Sequence, residues 1–76
     1  MSNPYEDIFS ERMAQNAEYG GPKHDDTHSE ADWINFLYKH LDRANDNSGD
    51  YRYQLVRVAA LCVAAIQSHD RKGGAS

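Results

Sequence analysis

The 76-residue chain has one cysteine, one tryptophan, two prolines and no long uninterrupted apolar run. Each scarcity closes off a class of protein. A single thiol, Cys62, cannot form an internal disulfide, and its place in "VAALCVAAI" predicts a buried side chain rather than a nucleophile. A membrane span needs roughly 18 or more consecutive apolar residues, and none is present. The opening "MSNPYEDIFSER" lacks the basic and apolar regions of a signal peptide, so a cytoplasmic protein is expected. Basic excess is missing as well. Eight Lys and Arg stand against 12 Asp and Glu, a net charge of −4, which argues against direct contact with nucleic acid or an anionic membrane.

What is present is the material of one small helical domain. A chain of this size buries only roughly 60% of its unfolded surface, and such domains often lean on a partner or a second copy. Its 39% hydrophobic content suits a modest core rather than an enclosed cavity. The charge is divided: residues 1–32 hold eight acids and two bases, whereas residues 33–76 hold six bases and four acids. The acidic half could attract a basic protein surface, or serve only as a solvated face.

Three helices are predicted, over about 4–19, 30–44 and 51–69, within a single domain at 1–72 followed by a flexible tail at 73–76. Asn3 is a suitable N-cap, Pro4 fits the first helical position, and Glu6 and Asp7 complement the helix dipole. Tyr5, Ile8, Phe9, Arg12, Met13 and Ala17 follow helical spacing, and Gly20, Gly21 and Pro22 end the helix. "GGPKHDDTHSEAD" reads as a loop closing in a capping box, with Ser29 and Asp32 exchanging hydrogen bonds. The second helix carries Trp33, Phe36, Leu37, Leu41 and Ala44 as its core stripe. "NDNSGD" is a turn from which Ser48 or Asp50 would cap the third helix.

The third helix is apolar over much of its circumference, so it needs cover on more than one side. Leu55, Val58, Ala59, Cys62, Ala65 and Ile66 form its strongest face. Two short helices are too little cover, and a homodimer with this face at the interface is expected, giving an all-α fold of three antiparallel helices packed into a helical homodimer.

Chemistry-bearing clusters are few. His24, Asp25, Asp26 and His28 crowd into "HDDTH", but ligands adjacent on one loop diverge, whereas zinc takes them converging from separated elements. No metal or other cofactor is therefore expected, and no catalytic residue is assigned. No serine stands in a Gly-x-Ser-x-Gly setting, and "GGPK" follows a helix, the wrong setting for a phosphate loop. More informative is the basic turn of Lys39, His40 and Arg43. If the second and third helices pack antiparallel, this turn would face Gln54 and Arg57 and form a candidate anion-binding pocket, with a solvated face as the alternative.

The opening "ER..Q...YGGP.H", the tryptophan-led helix and the final "QLVRVAALCVAAIQ" together resemble small all-α MazG-like nucleotide pyrophosphohydrolases, especially the compact phage-encoded ones. The resemblance spans about residues 8–69. It implies Mg²⁺ held by an E-E-x-x-E turn and an E-x-x-D turn, with water activated against a nucleoside triphosphate. Here those turns fall on Lys39, His40 and Arg43 and on Gln54 and Arg57, so every expected carboxylate is replaced. The resemblance then implies a scaffold put to another use. The leading expectation is a non-enzymatic phage protein that inhibits or modulates a host protein, such as CRISPR defence machinery, by occupying a basic nucleic-acid-binding groove. Glu6, Asp7, Glu11, Glu18, Asp25 and Asp26 would form that acidic surface. The alternatives are a residual nucleoside triphosphate pyrophosphohydrolase and a metal-free nucleotide binder using Lys39, His40, Arg43 and Arg57.

Overall fold

The computed structural model describes residues 3–46 and 50–73. Within them the chain is all-α, with helices α1 (Pro4–Tyr19), α2 (Pro22–Asp25), α3 (Glu30–Asn45) and α4 (Tyr51–Arg71). No described helix is long and apolar enough to cross a membrane.

Local chemistry accounts for the helix ends. Asn3 accepts a hydrogen bond from the Tyr5 amide, with Pro4 at the first position of α1. Gly20 closes α1 at φ 97°, a left-handed conformation costly to any residue with a Cβ. At α3 the capping box is complete: the Asp32 amide donates to Ser29 Oγ, and the Ser29 amide donates to Asp32. The Asp32 carboxyl lies below its ordinary range, chiefly because the Ser29 amide stabilises its anion. Asp50 caps α4 by accepting from the Tyr53 amide. Ser48 and most of the expected tail lie outside the described residues.

The segment expected to be a loop contains one helical turn, α2. Pro22 supplies a pre-set φ at its start, and Arg12 pulls its Asp25 into the interior. A second clamp holds its end, where Ser68 Oγ and Arg71 both donate to Asp26. These bonds, the Arg71 one foremost, lower the Asp26 pKa. Four helices rather than three result, because tertiary ion pairing adds a turn that composition alone does not favour.

α4 is the spine, with α1 and α3 packed on it and not on each other among the described residues. The His40–Gln54 and His28–Lys72 contacts run α3 antiparallel to α4, whereas Asp7–Arg52 and Arg12–Gln67 run α1 parallel to it. The antiparallel expectation therefore describes α3 alone. Close approach follows from small residues, since Ala60 is completely covered and Ala64 and Ser68 are almost so.

Several expected core residues face outward in the single chain. Of the α3 stripe, Trp33 and Ala44 are buried and Phe36 and Leu37 half-buried, but Leu41 is exposed. On α1 the covered side chains are Arg12 and Gln15, while Tyr5, Phe9 and Met13 project into solvent. Cys62 is half-buried rather than enclosed. The reason is geometric: α4 presents alanines to its neighbours, and larger apolar groups fan out beside the contact.

Candidate functional site

Between α1, α2, α3 and one face of α4 lies an open cleft of about 230 Å³. Its aromatic wall begins between α2 and α3. The His28 ring meets Trp33 at 5.4 Å and Phe36 at 5.0 Å, both edge-on, and His24 at 5.0 Å. Tyr19 stacks on His24 from the end of α1. Edge-to-face packing favours these arrangements, and the capping box fixes the α3 residues within them.

The polar floor comes from α1 and α4. Arg12 donates to Asp25 at 2.7 Å and to Asn16 at 2.8 Å, and reaches Gln67 at 3.4 Å, joining α1, α2 and α4. Gln15, one turn further along α1, is only 4% exposed, yet neither its amide nitrogen nor its amide oxygen has a hydrogen-bond partner. Arg57 enters from α4. Its Nε is buried and makes no hydrogen bond; Glu11 lies 3.8 Å away, close enough for attraction but too far to satisfy the donor. Its Nη1 donates to Tyr53 Oη at 3.4 Å.

The basic turn divides. Lys39 and His40 line the cleft with Arg57, whereas Arg43 lies outside its lining. Gln54 Oε1 accepts from His40 Nδ1 at 3.2 Å, which selects the tautomer protonated at that nitrogen and leaves Nε2 an acceptor. Burial holds the His40 pKa below its ordinary value, the Gln54 bond opposes this, and the positive charges of Arg57, Arg43 and Lys39 reinforce it.

Of the acids expected at the surface, four are engaged within the chain. Asp25 is buried against Arg12, Asp26 pairs with Arg71, Asp7 with Arg52, and Glu11 lies near Arg57 and Tyr53. Asp25 therefore corrects the expectation of a surface residue: it neutralises a buried guanidinium. Glu6 and Glu18 are exposed. On the proposed interface face, Leu55 and Ile66 are exposed, while Val58, Ala59, Cys62 and Ala65 are half-buried. Among the described residues no group of three or more His, Cys, Asp and Glu is placed to hold a metal ion.

Sequence reading assigned the basic residues but missed Gln15 and the aromatic wall. Gln15 stands three positions after Arg12, a helical neighbour on what becomes the inward face. The available signal was Arg12 itself, a charged residue that falls on the helical spacing of the apolar positions of α1. Comparisons with known protein families, with characterised proteins and with solved structures find no match, so the MazG-like resemblance rests on the quoted residues alone.

Proposed function

We propose that this chain is a metal-free binding module for an anionic aromatic small molecule, with a nucleotide as the fitting class, acting by occupancy as a homodimer. The observation that carries the reading is the buried, hydrogen-bond-free Nε of Arg57, on a cleft that Lys39 also lines and that aromatic rings wall. A guanidinium offers forked donors to phosphate oxygens and a lysine adds a point charge. The rings offer stacking surface to a base. The cleft is smaller than the ~300–1,000 Å³ that encloses a drug-sized ligand, so it suits the ring of a ligand whose charged substituent stays at the mouth. The one carboxylate lining the cleft, Asp25, already neutralises Arg12. Glu11, next to Arg57 but outside the lining, is a single further carboxylate, fewer than an Mg²⁺ site of the kind the resemblance implies would need.

The acidic-surface route to a host protein has less support, because four of its six acids are engaged internally and only Glu6 and Glu18 remain. The dimer is supported by exposed apolar side chains on all three long helices, Phe9, Tyr38, Leu41 and Ile66 among them.

Calorimetry with nucleoside triphosphates in the presence of a chelator tests the proposal. Binding should persist without divalent metal and weaken about tenfold or more in Arg57→Glu, since a buried charge-assisted contact contributes roughly 1.5–3 kcal/mol. No heat from any triphosphate, or chelator-sensitive release of pyrophosphate, would overturn it.

A further inference from the structure

We infer that Gln15 is the specificity residue of this cleft, its amide reading a ligand ring that carries a hydrogen-bond donor and an acceptor side by side on one edge. The inference rests on the binding function proposed above and assigns the ring-reading group, while Arg57 and Lys39 take the charge.

The starting point is an unmet demand. Buried amides in folded proteins are almost always hydrogen-bonded, because one stripped of water and left unpaired lowers stability. Gln15 is 4% exposed, and both its donor nitrogen and its acceptor oxygen stand without a partner. Polar groups that line the cleft with it do not meet this demand: Arg12 is turned toward Asp25, Asn16 and Gln67, and His40 is paired with Gln54. The residue lines the cleft together with His28, Trp33 and Phe36, which supply flat apolar and ring surface.

A ligand that pairs both atoms must offer an acceptor and a donor together. A phosphate or carboxylate would engage the amide nitrogen and leave the oxygen facing negative charge. A hydrocarbon would satisfy neither atom. A ring edge presenting N–H beside C=O, or N–H beside a ring nitrogen, satisfies both in one plane, as Gln does with adenine in nucleic-acid recognition. Rotation about the terminal amide torsion is soft, so Gln15 can turn toward such an edge with its backbone fixed in α1. A nucleobase has this edge, and the aromatic wall gives it a surface to stack upon.

The test compares ligands that differ only at that edge. Calorimetry with chelator present would use UTP against N3-methyl-UTP, ATP against N6,N6-dimethyl-ATP, and inorganic triphosphate, on the unaltered protein and on Gln15→Met. At least one unmodified nucleotide should bind roughly tenfold or more tightly than its methylated counterpart. In Gln15→Met that difference should vanish, inorganic triphosphate should bind unchanged, and the ligand-free protein should melt higher because the unpaired amide is gone. Equal affinity for methylated and unmodified nucleotides on the unaltered protein would overturn the assignment of Gln15 while leaving the anion site standing. Absence of binding by nucleotides and inorganic triphosphate alike would remove the proposed function and this inference with it. The methylated ligands keep the question decidable even if the variant does not fold.

Discussion

Arg12 Nη2 and Asp25 Oδ2 lie 2.7 Å apart, with their side chains 6% and 10% exposed. Taking one partner away leaves the other charged in the interior, which costs about 3–5 kcal/mol, whereas replacing both by apolar groups is far milder. Asp25→Ala should therefore lower the urea midpoint sharply, and Arg12→Met with Asp25→Leu should recover much of it; equal loss in both variants would show that the pair matters chiefly through packing. His40 sets an acid limit on stability. Its folded pKa is held below 6.5, first by burial and further by Arg57, Arg43 and Lys39. As pH falls through 6.5 the unfolded chain takes up a proton that the folded chain refuses, so His40 favours the folded state above that pH and opposes it increasingly down to the folded pKa. Melting temperature should decline on acidification through this window, and His40→Gln should flatten the decline. Asp26 and Asp32, both held below 3.8, contribute stability above that value and lose it as pH falls further.

Among the helices, α4 carries the architecture, because Ala60 and Ala64 let neighbouring elements approach its backbone. Ala60 has no exposed surface at all, so Ala60→Leu forces extra methylenes into a filled contact at about 1–3 kcal/mol. For a domain of this size that should lower the melting temperature by roughly 5–20 °C, and Ala65→Leu, at a half-buried position, by distinctly less. Both proteins melting alike would remove the spine role assigned to Ala60. The helix ends were legible in sequence at Asn3, Gly20, Ser29 and Asp50, since caps act over two to four residues. α2 was not legible. Its turn depends on Arg12 and Ser68, 13 and 42 residues distant from their aspartate partners, and local propensity carries no trace of such contacts.

At the scale of the whole molecule, the described residues leave an exposed apolar surface on all three long helices. Exposed Leu55, Ile66, Tyr38 and Leu41 are part of that surface. Cover by a second copy is the expected remedy. Light scattering at micromolar concentration should give twice 8.6 kDa, and Leu55→Glu with Ile66→Glu should return the mass to 8.6 kDa with helicity retained. A mass of 8.6 kDa for the unaltered chain would rule the dimer out.

Sequence alone determined the helical class, the caps, the uneven charge and the missing carboxylates at the two turns the resemblance singles out. Each is a matter of composition or of spacing within a few residues. The tertiary structure decided which side of each helix is covered. It placed Arg12 and Gln15 inside and Phe9 outside, brought Lys39 and Arg57 to one cleft while leaving Arg43 off its lining, and drew Asp25 away from the surface. The physical reason is that an amphipathic pattern marks a face only to within a rotation of the helix. The alanines of α4 and the long-range ion pairs set that rotation, and they do so through contacts between residues far apart in the chain.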